Sequence, residues 1–410
     1  MATTQDSRKK FTIAKTQENL YSVNLANVIA KVDTDKMGTV YNPYTSKPAV
    51  KDDTAANTTT YPIATYSADA DSLQVNRRTT ASEHVDSYDW KSVDFGLLAD
   101  RSMNFGKSMS KIIDGFVLNL PVATAGVDGL DDGDFGGTAG NPKTTSNTNI
   151  DDVINTGLTQ LHVADTVDSK KFYIVSPYEA NDLRSFLQNT GNNVMDDVIR
   201  MGIKSSVSKV GTTFSGVDVF MSNNLTHTAV LGMATNPTNA DTITFAGVTY
   251  TFLATLTGAA GEIHIASTVD ITRANLAEAI TGTNFPGDTT EAEATDTGYT
   301  ALSAVNQALL SQLKVTATNN NSADTLTITM RGTFSVSESL TAAADTWGTV
   351  FRYTILGDYG SINLYLPGKG MDYEEKVVSG KPGVELFMEE FYNGIIWTRM
   401  KDRVIHIKTN

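Results

Sequence analysis

The segment that decides the fold reads KFYIVSPYEANDLRSF and covers residues 171–186. Its first part is an unbroken apolar run of the kind that forms a buried strand. Ser176, Pro177 and Glu179 then give the sequence of a capping box, with the serine at the N-cap, the proline at the first helical position and the glutamate three residues after the serine. We therefore expect a buried strand that is followed at once by a helix.

Composition limits the classes of protein that this chain can be. A length of 410 residues exceeds the usual size of one core, so we expect two domains or one domain with a large insertion. Cysteine is absent, which excludes disulfides and Cys-ligated metal sites. The net charge of −14 makes the chain a poor general binder of nucleic acid. No apolar run reaches the roughly 18 residues that a membrane span needs.

The negative charge is concentrated in the middle of the chain. Residues 233–348 hold three basic and eleven acidic residues, a net charge of −8. Residues 1–36, by contrast, hold six basic and four acidic residues. The basic residues Arg8, Lys9 and Lys10 are candidates for non-specific contact with nucleic acid phosphates, although a solvated, frayed end explains them equally well.

The N-terminal third predicts little regular structure before one long helix. Residues 1–35 suggest only a short amphipathic piece around 18–31, and residues 36–85 suggest an extended ribbon that we expect to become ordered against another copy of the chain. Apolar residues then recur at helical spacing over 86–120, and Pro121 is expected to end that helix. A break near Gly106 is left open, because an interior glycine costs about 1 kcal/mol relative to alanine.

Residues 233–348 change in character and predict a small α+β domain inserted in a surface loop. The run DTITFAGVTYTF at 241–252 alternates around Ala246-Gly247 and predicts a hairpin. Asp270 is expected to cap a helix. Beyond the insertion, residues 372–409 predict an antiparallel β unit with a turn at Asn393-Gly394.

Two segments resemble those of a known family. GTTFSGVDVFMSNNL at 211–225 is similar to a Gly-rich turn and strand found in many major capsid proteins of tailed bacteriophages, and it follows a strand–Pro–helix unit as it does there. EEFYNGIIWTRMKDRVIHIK at 389–408 resembles that family's closing strands. The resemblance covers residues 1–232 and 349–410. It implies an α+β chain with the Hong Kong 97-type capsid fold and an inserted small α+β domain.

The resemblance also implies a division of the chain. The expected parts are an N-terminal arm (1–35), an extended loop (36–85), a spine helix (86–121), the first part of the peripheral and axial domains (122–232), the inserted surface domain (233–348) and the closing strands (349–410).

The implied function is that of a major capsid protein, located in the virion and assembled in the bacterial host cytoplasm. Such a protein assembles with itself into hexamers and pentamers of an icosahedral shell around double-stranded DNA. Its further expected partners are portal and scaffolding proteins, a decoration protein and, non-specifically, the packaged DNA; no membrane is involved. The alternatives are an encapsulin-like compartment shell and a phage tail structural protein.

Motifs of enzyme chemistry are absent from the sequence. The five histidines form no HExxH pair, and there is no Gly-x-Ser-x-Gly elbow and no phosphate loop. We therefore predict that the chain is not an enzyme and has no catalytic residue, no cofactor and no metal. The run DGLDDGDFGG at 128–137 is similar to a calcium loop, but Leu130 and Ala139 occupy ligand positions 3 and 12, which favours a mobile polar loop. Arg77 and Arg78 are candidates for pairing with acids of a neighbouring subunit.

Overall fold

The computed structural model describes residues 2–23, 25–45, 68–86, 95–164, 169–189, 209–212, 216–281, 300–331, 335–342, 345–348, 350–368, 371–377 and 382–410. The chain forms two compact units. Unit 1 comprises Met1–Ile113 and Tyr359–Lys401, and unit 2 comprises Asp114–Asp358 and Asp402–Asn410.

The described residues contain seven α-helices: α1 (Ala2–Val23), α2 (Ala26–Ile29), α3 (Phe95–Ala123), α4 (Ile150–Val163), α5 (Pro177–Asn189), α6 (Val269–Thr281) and α7 (Ala304–Gln312). They also contain the strands β1 (Lys31–Asp33), β2 (Gly38–Thr45), β3 (Ala68–Val75), β4 (Arg77–Val85), β5 (Asp128–Leu130), β6 (Lys171–Val175), β7 (Lys209–Thr212), β8 (Asp218–Met221), β9 (Thr226–Gly232), β10 (Thr242–Phe245), β11 (Val248–Leu253), β12 (Glu262–His264), β13 (Thr316–Asn320), β14 (Thr325–Arg331), β15 (Val336–Glu338), β16 (Phe351–Asp358), β17 (Asn363–Tyr365), β18 (Asp372–Lys376), β19 (Val384–Ile395) and β20 (Val404–Thr409).

The expected α+β class is confirmed. The element order that the resemblance implies is also present: an N-terminal arm helix, an extended two-stranded segment, a long helix and two β-rich parts.

Unit 1 is organised around strand β19. The sheet order is β1-β17-β19-β18, and β4 also pairs with β19. The β4–β19 ladder is antiparallel and runs over nine residue pairs, from Val384 opposite Val85 to Tyr392 opposite Arg77. The inward side chains of β19 alternate with outward ones, as expected for a strand with one buried face.

Unit 2 contains a nine-stranded sheet in the order β13-β14-β9-β16-β6-β8-β7, with β20 on β16 and β5 on β20. Helix α4 packs on this sheet through an apolar face whose cluster includes Ile154, Leu158, Leu356 and Ile405. The predicted strand and helix at 171–189 are confirmed. The backbone N–H of Ser176 donates to Glu179 Oε2 (2.9 Å), and the N–H of Glu179 donates to Ser176 Oγ (3.3 Å), so the capping box is complete.

The insertion shares its sheet with the rest of unit 2. Strand β14 pairs with β9 along its full length, from Thr325 opposite Gly232 to Arg331 opposite Thr226. A separate four-stranded sheet, in the order β12-β11-β10-β15, lies within the insertion. The predicted hairpin is confirmed, since Ala246 (φ 51°) and Gly247 (φ 77°) connect β10 to β11. Asp270 does not cap its helix: α6 begins at Val269 and Thr268 Oγ1 accepts from the N–H of Ile271 (3.4 Å).

In the N-terminal third, the expected extent of the first helix and the expected end of the long helix at Pro121 were wrong, and the break near Gly106 that the sequence left open does not occur. Helix α1 spans 22 residues and is not confined to 18–31. Helix α3 is continuous through Gly106, where it is flanked by the buried Phe105 and Met109. It also continues two residues past Pro121, because a proline in the last turn removes only one backbone donor. The part of the predicted helix before Phe95 includes residues 87–94, which lie outside the described residues.

The predicted turn at Asn393-Gly394 was also wrong, because β19 runs straight through both residues. Asn393 pairs with Tyr365 and Gly394 with Leu364. The side chain of Asn393 donates to the carbonyl oxygen of Gln74 (2.7 Å) and accepts from the N–H of Gly394 (2.9 Å). Cross-strand contacts therefore override the local turn preference.

Arg273 of α6 is a fully buried charged residue of the insertion. Its side chain is 0% exposed. It donates to the carbonyl oxygen of Met233 and to the side chains of Asn319 (3.1 Å), Asp270 and Asp324 (3.3 Å). One side chain thus links the end of β9, the start of α6, strand β13 and the turn before β14.

We predict that Arg273→Ala destabilises unit 2 by about 2–4 kcal/mol, because a buried carbonyl loses its donor and the long side chain leaves a gap. Urea unfolding measures the change. Lys314→Ala removes the same charge at an exposed position and is expected to cost less than about 0.5 kcal/mol. Equal, small losses for both variants would contradict the role assigned to Arg273.

Candidate assembly surface

Strands β2 and β3 form an extended two-stranded ribbon. Eight antiparallel residue pairs join them, from Gly38 opposite Val75 to Thr45 opposite Ala68. Among the described residues the two strands make a sheet of their own, so each keeps an outer edge without a strand partner. The connecting residues 46–67 lie outside the described part of the chain. Because an isolated two-stranded ribbon is marginal in water, its position depends on how its base is held.

An apolar cluster holds the base of the ribbon. Val40 and Val75, from the two strands, pack with Tyr365 and Trp397, and all four are buried. The rings of Tyr365 and Trp397 meet edge to face at 6.5 Å between centroids. Tyr41, the next residue after Val40, is 66% exposed. The ribbon is therefore fixed at its base and open to contact beyond it.

Two polar contacts also hold the ribbon along strand β3. Asp71 accepts from both the backbone N–H and the hydroxyl of Thr398, each at 2.9 Å. The side chain of Asn393 donates to the carbonyl oxygen of Gln74. The described part of the 36–85 loop is thus ordered within one chain, since β2 pairs with β3 and β4 with β19. The expectation that it requires another copy to become ordered was wrong for these residues.

The outward face of β4, β19 and β18 forms a groove of about 460 Å³. Charged and polar side chains lie along it, namely Arg78, Thr80, Ser82, Asp372, Glu374, Lys376 and Glu389, and Phe387 and the buried Met388 also line it. Lys376 pairs with Glu374 (3.1 Å) and also lies 5.3 Å from the ring centroid of Phe387. The face therefore offers charges of both signs beside one partly exposed phenylalanine ring.

Arg77 and Arg78 begin strand β4 at the end of this groove. Arg78 pairs with Glu389 of the same chain (3.4 Å), and both side chains are partly exposed. Such exposed pairs contribute about 0–1 kcal/mol, so the pair can exchange partners at little cost. Arg77 lies opposite Tyr392 in the ladder and is exposed. Pairing of either arginine with a neighbouring subunit stays a prediction.

The basic N-terminal residues lie on helix α1. Lys9 forms an ion pair with Asp372 of β18 (2.5 Å), and this hydrogen bond is the main reason why the pKa of Asp372 lies below its usual value. Lys10 is exposed. The side chain of Arg8 lies outside the described residues. Contact of the three with packaged DNA stays a prediction.

The calcium-like run at 128–137 is ordered by its own carboxylates. Asp131 accepts from the N–H groups of Gly133 (2.8 Å) and Gly140 (2.6 Å). Asp132 accepts from the N–H of Thr138 (2.9 Å) and from Lys143 Nζ (3.2 Å), and the backbone hydrogen bond is the main reason why its pKa is lowered. The expectation of a mobile polar loop was therefore wrong. In the parts of the chain that the structure describes, no group of three His, Asp or Glu side chains is placed to hold a metal ion.

His227 and His406 are partly buried histidines of unit 2. Burial lowers the pKa of His227 to about 4, and its Nδ1 lies 2.9 Å from the carbonyl oxygen of Leu225. Burial likewise lowers the pKa of His406, whose ring meets Tyr353 edge to face at 5.3 Å. Both partly buried rings are therefore favoured in the neutral form.

Sequence reasoning missed the most unusual carboxylate of the chain, Glu390 of β19. It is 1% exposed, and burial raises its pKa to about 8. A signal was present, because Val384, Leu386 and Met388 alternate with polar or outward residues and Glu390 takes the next inward place.

Among the described residues, no helix has the length and apolarity needed to cross a membrane.

No family model and no curated protein matches the chain. Solved structures do match it over most of its length. The capsid structure of the cyanophage P-SCSP1u is 8% identical, with a TM-score of 0.46, and the match covers 95% of this chain and 89% of that one. The mature capsid of bacteriophage PhiM1 is 11% identical, with a TM-score of 0.42, over 94% and 87%. A virus-like particle from Pyrococcus furiosus is 7% identical, with a TM-score of 0.41, over 98% of each chain. At these identities and TM-scores, the function has to be argued from this chain's own geometry.

We predict that Trp397→Ala loosens the ribbon and costs about 3–5 kcal/mol, because it removes the largest side chain of the cluster at the base. Urea unfolding gives the free energy, and hydrogen exchange of β2 and β3 amides reports the ribbon. Tyr41→Ala, at an exposed position of the same ribbon, is the control and is expected to change stability by less than about 0.5 kcal/mol. If ribbon amides keep their protection in Trp397→Ala, the cluster does not anchor the ribbon.

Proposed function

We propose that the chain is a major capsid protein that assembles with itself into the icosahedral head shell of a tailed bacteriophage, around double-stranded DNA. The observation that carries the proposal is the ribbon of β2 and β3, which is anchored at its base and along one side, while its outer strand edges have no strand partner among the described residues. The open strand edges of an exposed ribbon promote unwanted association of an isolated monomer. In an assembling subunit the same edges can bind a neighbouring copy.

Shell assembly needs contact area that does not come from enlarging the core. A stable interface buries about 1,600 Å² in total, and a ribbon laid on a neighbour supplies area from both of its faces and edges. The groove on β4, β19 and β18 supplies a second surface, with charges of both signs that select one register of contact. Each exposed ion pair is weak, so that misplaced subunits can leave.

The acidic insertion fits the outside of such a shell. Its net charge of −8 would repel packaged DNA if it faced inward, whereas on the outside it keeps particles apart. We therefore place residues 233–348 on the outer surface and the basic residues Arg8, Lys9 and Lys10 towards the genome. We also propose that the chain is divided, as the resemblance implies, into an arm, an extended loop, a spine helix, peripheral and axial parts, and closing strands. Hexamers and pentamers of the chain, with portal, scaffolding and decoration proteins as further partners, complete the proposal.

The role of the ribbon in assembly is tested by placing a charge on it. Tyr41→Lys alters an exposed side chain, so the monomer is expected to fold normally, yet the added charge is expected to reduce the yield of closed particles at least tenfold by negative-stain microscopy of the purified chain. Val305→Lys adds the same charge at a residue that is 77% exposed on the insertion. This control is expected to assemble like the unaltered chain.

Closed shells from both variants in equal yield would contradict the role of the ribbon. Tubes or trimers from the unaltered chain would favour a tail component, and shells that enclose an enzyme cargo would favour a compartment.

The outward position of the insertion is tested with Val305→Cys, since the chain has no other cysteine. In intact particles this thiol is expected to react completely with a maleimide coupled to a polyethylene glycol too large to enter the shell. Protection of the thiol until the particles are dissociated would place the insertion inside.

A further inference from the structure

Strand β13 is an open edge of the nine-stranded sheet in unit 2. It lies at one end of the strand order, and among the described residues it pairs with β14 alone. Five residue pairs join the two strands, from Thr316 opposite Thr329 to Asn320 opposite Thr325, with no shift of register. The other side of β13 therefore presents backbone N–H and C=O groups that no described strand bonds.

The sequence of β13 leaves this edge unprotected. Charged side chains, prolines and bulges keep the edges of many natural sheets from pairing with another chain. The five residues of β13 read TATNN, with no charged side chain and no proline. Thr316, Thr318 and Asn320 are exposed. The edge is therefore suited to the addition of a further strand.

Helix α6 holds β13 in place from the opposite face. Asn319 lies opposite the buried Leu326 in the ladder, so its side chain is on the inner face of the sheet. There Asn319 Oδ1 accepts from Arg273 Nε (3.1 Å), and its Nδ2 donates to the carbonyl oxygen of Asp270 (3.3 Å). Because these contacts already order the strand, little conformational entropy is lost when a second strand binds its edge.

Charges of opposite sign lie at the two ends of β13. Lys314 lies two residues before the strand and is exposed. Asp324 lies in the turn after it, and its side chain remains 52% exposed beside Arg273. Two parallel β13 strands would bring like charges together, whereas two antiparallel strands bring Lys314 of each copy towards the Asp324 turn of the other. The edge is therefore complementary to a second copy of itself, although the insertion as a whole has a net charge of −8.

We propose that two copies of the chain pair through their β13 strands, antiparallel and about a two-fold axis, so that the sheet continues from one copy into the other. The register that pairs all five residues puts Thr318 opposite Thr318 of the second copy. In the same register Thr316 lies opposite Asn320 of the second copy. Such an interface uses the same surface on both copies, as a two-fold axis requires.

The β13 contact is separate from the surfaces proposed for shell assembly. Strand β13 belongs to unit 2, whereas the ribbon and the groove belong to unit 1. Failure of the β13 contact would therefore leave the proposed shell function standing. A chain that forms no shells can, conversely, still pair through β13.

Disulfide trapping tests the contact, because the chain has no cysteine of its own. Directly opposite Cβ atoms of an antiparallel pair lie about 4.5–5.5 Å apart, close to the spacing that a disulfide spans. Oxidation of purified full-length Thr318→Cys is therefore expected to give a covalent dimer on a non-reducing gel. Val305→Cys is the control, since it places a thiol at a residue that is 77% exposed on the same insertion. We expect roughly tenfold more dimer from Thr318→Cys than from this control, because opposite thiols are held at bonding distance.

The register is tested by Thr316→Cys and Asn320→Cys. Each variant alone places its thiol opposite a residue that is not cysteine, so each is expected to remain monomeric on the gel. An equal mixture of the two is expected to give the covalent dimer, since Thr316 of one copy faces Asn320 of the other. Both positions are exposed, so the variants are expected to fold. If Thr318→Cys does not fold, this mixture still tests the pairing.

The role of charge is tested by adding Lys314→Glu to Thr318→Cys. The change replaces an attraction at each end of the paired strands by a repulsion, so the yield of dimer is expected to fall severalfold. Equal dimer yields from Thr318→Cys and Val305→Cys would overturn the pairing. Covalent dimers from Thr316→Cys alone, or a mixture with Asn320→Cys that stays monomeric, would overturn the register.

Discussion

Strand β19 is the constraint on which unit 1 depends, because it pairs with β4, β17 and β18 and holds the ribbon through Asn393. Its twelve residues leave no freedom of register, since a slip by one residue would turn Leu386 and Met388 outward and Glu385 and Glu389 inward. The long ladder with β4 then fixes the end of the extended loop. The ribbon can extend into solvent because the strand beneath it is held on both sides.

Polar groups are used differently in the two units. In unit 2 the buried charge of Arg273 is satisfied by four acceptors, so it stabilises one arrangement of the insertion. In unit 1 the buried carboxyl of Glu390 has no described hydrogen-bond partner, so its stability depends on its proton. A buried charge whose hydrogen bonds are all formed favours one structure. A buried titratable group without hydrogen-bond partners makes the stability of the structure depend on pH.

Local sequence signals predicted the elements that depend on local contacts. The Ser176–Glu179 capping box and the Ala246-Gly247 hairpin formed as expected, since each is decided within four residues. Asn393-Gly394 failed as a turn because its partners, Tyr365 and Gln74, are distant in sequence. The length of α1 was missed for a similar reason, since its polar sequence is held by Asp372 and Gly368. The candidate arginines could be found from sequence, but the anchor at Val40, Val75, Tyr365 and Trp397 joins four separate segments and could not.

In the shell that we propose, a neighbouring copy of the chain covers the ribbon. A cryo-electron microscopy map of particles grown from the purified chain, at a resolution that traces strands, tests it most directly. We expect a closed shell in which β2 and β3 of every copy lie against an adjacent copy, with Tyr41 buried in the contact. A shell whose ribbons stand free in solvent, or a chain that stays monomeric at the highest concentrations reached, would contradict the account.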